Sequence, residues 1–164
     1  MAKYASIRNG FERGGAENVN GGGAEVDTDD ITGSIIDASM QIHRALGPGL
    51  MESAYETLLV CELSRRGLCV ERQRMISVSY DGVHIEDAFR ADLIVEGCVI
   101  VEVKSIDRFA PVHRKQLLTY LRLTNLRVGL LLNFSAETMK EGLKRVVNDF
   151  VPSPTSPLRI NLSG

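Results

Sequence analysis

Apolar and polar positions first fall into a regular pattern at about residue 28. In "TDDITGSIIDASMQIHRAL" the apolar residues recur every three or four positions, and "GPG" (47–49) follows directly. This spacing predicts an amphipathic helix that ends at the Gly-Pro-Gly. Its apolar positions are Ile31, Ile35, Ala38, Ile42 and Leu46. A second segment, "LMESAYETLLVCELSRR", predicts another helix that ends before Gly67.

The pattern then changes to one typical of strands. Strand-like segments lie at about 68–80, 83–95 and 98–104. "YDGV" (80–83) joins the first two and is typical of a hairpin turn. The middle of the chain therefore predicts three strands in succession.

Helical and strand signals alternate in the last third of the domain. Pro111 suits the first turn of a third helix over 111–123. "RVGLLLNF" (127–134) is an apolar run, as in a strand buried on both faces. Ser135 is suited to cap a last helix that runs to about 149. The predicted order is α-α-β-β-β-α-β-α, which indicates an α/β sandwich with a mixed sheet.

The two ends of the chain lack this periodicity. Residues 1–27 contain two short glycine runs, at 14–15 and 21–23, and few large apolar groups. We therefore expect a disordered Gly-rich tail. "PSPTSP" (152–157) begins a Pro/Ser-rich C-terminal tail, 151–164, whose last apolar residues either dock or stay free. The predicted domain is 28–150.

Composition narrows the class of protein. The 164 residues suffice for one domain, and a net charge of -2 gives no overall attraction to nucleic acid, so a polyanion would need a local patch or a metal. Three cysteines without a C-x-x-C spacing argue against disulfides or a zinc site and for the reducing cytoplasm. No apolar run approaches the roughly 18 residues of a membrane helix. We expect a soluble cytoplasmic protein that makes no contact with a membrane.

Three charges interrupt the apolar hairpin "FRADLIVEGCVIVEVKS" (89–105). Glu102 and Lys104 share one strand face, because side chains alternate. A two-residue turn would put Asp92 on the opposite face, whereas a three-residue loop, 95–97, would pair Asp92 with Ile100 and place it diagonal to Glu102. In the second arrangement the two carboxylates can converge on one cation.

Two carboxylates on one face repel each other unless a proton or a divalent ion intervenes. Oxygen ligands without nearby cysteines favour Mg²⁺ or Mn²⁺. By spacing alone an alternative remains open: a solvated strand face that carries a Glu–Lys pair.

The same residues resemble a known signature. D92-x9-E102-V-K104 resembles the motif of the PD-(D/E)XK nuclease superfamily, with Ala91 in place of its proline. "IHRALGPGLMESAYE" is similar to the bacterial GxxExxY proteins, whose namesake residues are here Gly49, Glu52 and Tyr55. "QLLTYLRLTNLRVGLLLNF" and "GLKRVVN" match that family in the same order, so that the resemblance covers about 31–149.

This resemblance implies a restriction-endonuclease-like core, with a mixed sheet of four to five strands flanked by helices. It also implies a metal-dependent nuclease, acting on DNA rather than RNA. Glu52, Asp92, Glu102 and the Val103 carbonyl would bind Mg²⁺ or Mn²⁺. Lys104 would position or polarise the attacking water.

Further candidates lie on the helices, each with a structural alternative. Gln116 and Tyr120 resemble the Q-x-x-x-Y element of RecB-type nucleases, in which the glutamine orders the site; Tyr120 can equally be a core aromatic. His43 could supplement or replace Glu52, or be a packed, hydrogen-bonded histidine at the end of its helix. Tyr55 shares a helical face with Glu52.

A basic cluster precedes and enters the third helix. Arg108, His113, Arg114 and Lys115 would form the phosphate track, with a solvated surface as the alternative. Besides a nuclease, the sequence allows a catalytically inactive module that binds nucleic acid or protein, and a small domain of either kind could work as a homodimer or in a larger complex.

Overall fold

The computed structural model describes residues 27–149 and the backbone of a short strand at 158–161. The elements are α1 (Thr28–Leu46), α2 (Glu52–Arg65), β1 (Val70–Tyr80), β2 (Val83–Val95), β3 (Val99–Lys104), α3 (Pro111–Thr124), β4 (Val128–Asn133), β5 (Leu143–Val147) and β6 (Leu158–Asn161). The predicted tail 1–27 lies outside the described residues, except for Asp27.

Local sequence signals set the ends of the first two helices. Asp27 caps α1 by accepting the Asp29 N–H, and Gly47 ends it with a φ of 68°. The helix α1 buries the predicted apolar stripe except Leu46, which is exposed. Gly49 has a φ of 117°, a conformation that favours glycine, so the connection can turn sharply into α2. The Gly-Pro-Gly thus separates the helices as predicted.

All the described strands belong to one mixed sheet with the order β5-β4-β3-β2-β1-β6. The strands β3 and β4 are parallel, and the other neighbouring pairs are antiparallel. A first core cluster joins α1 and α2 to one face of the sheet, and a second joins α3 to the other. The predicted α/β class, with a mixed sheet flanked by helices, is confirmed, and five of the strands lie within the predicted domain 28–150.

The predicted last helix over 135–149 is wrong. Turns occupy most of residues 135–142, and Leu143–Val147 forms β5, antiparallel to β4. The Ser135 hydroxyl contacts Ser105 instead of capping a helix. Gly142 accepts the Asn133 N–H at 2.7 Å, and a Cβ on Gly142 would lie only 2.2 Å from the Asn133 carbonyl oxygen. The close approach at Gly142 and the two β-branched residues Val146 and Val147 both favour a strand over a helix here.

The C-terminal segment adds a sixth strand. β6 pairs antiparallel with β1 over Ser77–Tyr80, so part of the segment expected to be a tail docks on the sheet edge. Among the helices that the structure describes, none is long and apolar enough to cross a bilayer.

Candidate functional site

The loop between β2 and β3 has three residues, but its register differs from the predicted one. Val95 pairs with Val99 and Leu93 with Val101, so the loop is 96–98. Glu96 and Gly97 take left-handed φ values of 51° and 63°. The predicted pairing of Asp92 with Ile100 is therefore wrong: the next position of this register puts Asp92 directly opposite Glu102. Because the shift is by two residues, it leaves the predicted sharing of one face unchanged.

The β2–β3 ladder stops immediately before these charges. The last pair is Leu93 with Val101, and the same register would next bring Ala91 opposite Val103. Instead, Asp92 Oδ2 accepts the Val103 N–H at 2.9 Å. The carboxylate thus satisfies a backbone donor that the diverging strand would leave unpaired. The site lies in the fork where β2 separates from β3.

Lys104 lies between the two carboxylates. Its Nζ is 3.8 Å from Asp92 Oδ2 and 3.5 Å from Glu102 Oε2. The three side chains are only 19%, 14% and 6% exposed for Lys104, Asp92 and Glu102. Screening by water is weak at such burial, so each charge strongly affects the others. The structure therefore brings together the three charges of the hairpin.

This burial shifts the acid–base properties of all three groups. Burial, and then the charge of Asp92, raises the pKa of Glu102 to about 7. The pKa of Asp92 is also raised by burial, although the Val103 N–H and Lys104 oppose the shift. Burial works against the charge of Lys104, but Asp92 and Glu102 outweigh it and raise the Lys104 pKa. Near neutral pH Lys104 is therefore positively charged, whereas the Glu102 carboxyl group is only partly ionised.

The chemistry of the cluster fits a divalent cation. Glu102 Oε1 is buried and accepts no hydrogen bond from the described residues. A buried oxygen without a donor is costly, and a cation would satisfy it. Among the described residues, Asp92 Oδ1 receives one long contact, of 3.4 Å, from Gln73. The Val103 N–H bonds Asp92 Oδ2 at 2.9 Å, and the Val103 carbonyl stays a predicted ligand.

Glu52 approaches this cluster without joining it. As the first residue of α2, it accepts the Ser105 N–H through Oε1 at 3.0 Å. Its charge contributes to the raised pKa values of Asp92 and Lys104. Across the described part of the chain, no group of three or more His, Cys, Asp or Glu side chains converges as metal ligands would. The structure thus holds Glu52 beside the acidic pair, against the end of β3.

Tyr55 holds the connection that brings Glu52 into place. Its hydroxyl donates to the Gly47 carbonyl at 2.7 Å and accepts the Leu50 N–H at 3.2 Å. Its ring is fully buried and stacks on Phe134, with centroids 4.2 Å apart. Both hydroxyl contacts are to backbone, so the structure gives Tyr55 a structural part in this loop.

Gln116 and Tyr120 meet on α3 as their spacing predicts. Gln116 Nε2 donates to the Tyr120 hydroxyl at 2.7 Å, and the Tyr120 ring stacks on Phe89 at 3.9 Å. Burial raises the pKa of Tyr120, and the charge of Glu102 adds to the shift. The hydroxyl therefore lies within electrostatic reach of the acidic pair, on the α3 side of the sheet.

Of the residues predicted for the phosphate track, three are exposed and the fourth, His113, makes a hydrogen bond at the helix start. Arg108, Arg114 and Lys115 are exposed around the start of α3. The His113 ring accepts the Ala110 N–H at 3.0 Å through Nδ1, so that one nitrogen is engaged at the helix start. His43 is buried and lies 3.0 Å from the Ala136 carbonyl, as in the packed alternative.

Sequence reasoning missed a group of polar residues next to Asp92. Glu56 is 4% exposed, and its Oε2 accepts from Arg72 Nε at 2.9 Å and from Gln73 Nε2 at 2.7 Å. Its position one helical turn after Glu52 was the signal available in the sequence. A cavity of about 600 Å³ adjoins this group and is lined in part by Glu52, Glu56, Arg72, Gln73 and Arg90.

Comparison with known proteins gave a family match. A family model of the PD-(D/E)XK nuclease superfamily matches residues 29–146, well over half of the chain. The restriction-endonuclease-like fold expected from the sequence is thereby confirmed, whereas the narrower GxxExxY assignment stays a prediction. Searches of curated proteins and of solved structures gave no significant match.

Proposed function

Because the chain belongs to the PD-(D/E)XK nuclease superfamily, we propose that it is a divalent-metal-dependent nuclease. It would hydrolyse phosphodiester bonds, of DNA rather than RNA. The narrower GxxExxY resemblance is part of this proposal, since Gly49, Glu52 and Tyr55 all serve to set the position of α2.

One observation supports the proposal above the others. Lys104 lies within 4 Å of both Asp92 and Glu102 in the strand fork, and Glu102 Oε1 is buried without a donor among the described residues. A solvated strand face would not bury its charges to this degree, because desolvation of unpaired carboxylates is unfavourable. The arrangement therefore favours a site built to receive a cation.

Each residue would have a definite part in hydrolysis. Asp92, Glu102 and the Val103 carbonyl would hold Mg²⁺ or Mn²⁺, with Glu52 adding negative charge from α2. The metal would lower the pKa of a bound water and stabilise charge on phosphate. The Lys104 ammonium would orient the attacking water and offset the charge that develops on the phosphoryl oxygens. Gln116 would fix the Tyr120 hydroxyl at the α3 side of the site.

A second function has its own support. Lys104 contacts both carboxylates, so the cluster is partly neutralised by the chain itself. A nuclease-like module that binds nucleic acid or protein without turnover would need no more than this. The two functions differ in one property: the enzyme requires a divalent cation in the fork, and the module does not.

Partners and compartment follow from the surface. Arg108, Arg114 and Lys115 are exposed around the start of α3 and would contact phosphates of the nucleic acid. A domain of this size grips little of a duplex alone, so we include a homodimer or a larger complex in the proposal. Cys61 and Cys69 are free and exposed, which suits a reducing cytoplasm.

The proposal is tested by a cleavage screen. Single-stranded, duplex and branched DNA and matching RNA are incubated with Mg²⁺, Mn²⁺ or EDTA, using the wild type and Asp92→Asn. We expect metal-dependent cleavage of DNA by the wild type alone. As a matched control, Asp30→Asn changes an exposed aspartate on α1 and should cleave normally. Binding of nucleic acid with no cleavage under any condition would favour the module.

A further inference from the structure

Gln73 has an unusual backbone for the middle of a strand. Its φ is 54°, in the left-handed region, where a residue with a side chain is strained by roughly 1–2 kcal/mol. Gln73 lies opposite Asp92 across the β1–β2 ladder. This follows from the pairs on either side, Arg72 with Leu93 and Arg74 with Ala91. Strain of this kind persists only where the surroundings enforce it, and it concentrates at functional sites.

The side chain of Gln73 joins two carboxylates. Its Nε2 donates to Glu56 Oε2 at 2.7 Å and to Asp92 Oδ1 at 3.4 Å. The amide nitrogen must face them, because a carboxylate only accepts hydrogen bonds. Arg72 also donates to Glu56 Oε2, and through a second nitrogen to the Ser53 carbonyl at 3.0 Å. The Glu56 end of this link is therefore buried, neutralised and fixed to α2.

We propose that Gln73 is a positioning residue that sets the orientation of the Asp92 carboxylate for metal binding. The inference rests on the proposed function, in which Asp92 is a ligand. The Val103 N–H fixes Asp92 Oδ2 at 2.9 Å, and the longer Gln73 contact of 3.4 Å biases the rotation of the carboxylate about that bond while leaving Oδ1 open to a cation. Residues that orient metal ligands in this way typically affect metal affinity by 10- to 100-fold.

The amide suits this task better than a cation would. An arginine or lysine at position 73 would orient Asp92 but also neutralise it, and so weaken its attraction for a metal. The neutral amide donates a hydrogen bond and leaves the negative charge available. Arg72, by contrast, pairs with Glu56. The Glu56 carboxylate is thereby neutralised and competes less with Asp92 for the metal ion.

The left-handed backbone of Gln73 allows its side chain to be replaced without adding backbone strain. Asparagine and glycine both tolerate this φ better than glutamine, so Gln73→Asn and Gln73→Gly remove the reach of the side chain without straining the strand. Asp87 is a matched control, since it is exposed and also left-handed, with a φ of 49°, but lies nearer the start of β2, away from Asp92. Asp87→Gly relieves strain there without touching the site.

Three measurements test the proposal: Mn²⁺ titration of the metal-free protein by calorimetry, thermal unfolding, and kcat with KM for nucleic acid. We expect both Gln73 variants to bind Mn²⁺ at least tenfold more weakly, to unfold no earlier than the wild type, and to lose kcat with little change in KM. Asp87→Gly should bind Mn²⁺ normally.

The outcomes against the proposal are distinct. Mn²⁺ affinity equal to wild type in both Gln73 variants would overturn the positioning role and leave the proposed function intact. Loss of the folded state in both would also overturn it, because the contact would then be structural. A wild type that neither binds Mn²⁺ nor cleaves nucleic acid would overturn the proposed function, and this inference with it.

Discussion

The ammonium of Lys104 lies 3.5 Å from the Glu102 carboxylate, on the same face of β3 and two residues farther along it. This pair stands at the end of a strand that is otherwise buried and apolar. In the proposed nuclease the charge of Lys104 would act on a phosphate in the fork as well as on its acidic neighbours.

Lys104→Ala should separate catalysis from binding. Negative charge builds on the phosphate in the transition state, so the ammonium matters more there than in the ground state. We expect turnover to fall by roughly 10²-fold or more, comparable to the loss of one oxyanion donor, with little change in nucleic-acid affinity. Single-turnover cleavage and fluorescence anisotropy measure the two effects. Lys144→Ala, at an exposed lysine on β5, is the control; equal losses of affinity and rate would speak for a phosphate grip alone.

Glu102→Gln should change how stability depends on pH. The pKa of Glu102 is raised from 4.5 to about 7, so the folded protein binds a proton that the unfolded chain releases between these values. Without metal, the wild type should therefore lose stability as pH rises from about 4.5 to 7, on the order of 1–3 kcal/mol relative to Glu102→Gln.

Urea unfolding in EDTA at several pH values measures this difference. Glu137→Gln changes an exposed glutamate and should keep the wild-type profile. A constant gap between the wild type and Glu102→Gln across that pH range would contradict the raised pKa.

Arg114→Ala with Lys115→Ala should have the opposite effect to Lys104→Ala. Both side chains are exposed at the start of α3, where phosphate contacts would add affinity without entering the chemistry. We expect weaker binding and a salt dependence of log K shallower by up to about 2, with the cleavage rate at saturation largely kept. A titration of nucleic acid at several salt concentrations measures this. Arg44→Ala with Lys140→Ala removes the same charge elsewhere, and an equal effect there would rule out a local track.

Tyr55→Phe should destabilise the loop before α2. The change leaves the Gly47 carbonyl and the Leu50 N–H without their shared partner, at a cost of about 1 kcal/mol because Leu50 is exposed to water. Urea unfolding measures the loss, and hydrogen exchange at Leu50 should quicken. Tyr80→Phe, at an exposed tyrosine, should leave stability unchanged. Were both variants equally stable, the Tyr55 hydroxyl would have no part in holding the loop.

The alternation of side chains was enough to predict which charges share a face, but not how closely they approach. Any loop with an odd number of residues between β2 and β3 puts Asp92 and Glu102 on the same face of the sheet. The predicted shared face was therefore correct although the predicted register was off by two residues. The loop's position depends on which residues take left-handed φ, and Glu96 does so alongside Gly97. Glycine alone was the visible signal.

Features that depend on distant contacts were not predictable in the same way. In "VERQRM" (70–75) the polar residues suggest a solvated strand, and nothing local shows that Gln73 lies between Glu56 and Asp92. Likewise, the segment after Ser135 has helix-forming residues, and the contact of Gly142 with Asn133 that favours β5 exists only in the folded sheet.

The short junction between β2 and β3 has a thermodynamic consequence. Three residue pairs join these strands, whereas nine join β1 to β2 and six join β3 to β4. Local opening begins where the fewest backbone hydrogen bonds must break. Amide exchange should therefore be faster along this line than within either half of the sheet. The fork that holds the buried carboxylates is thus also the boundary at which the domain would first open.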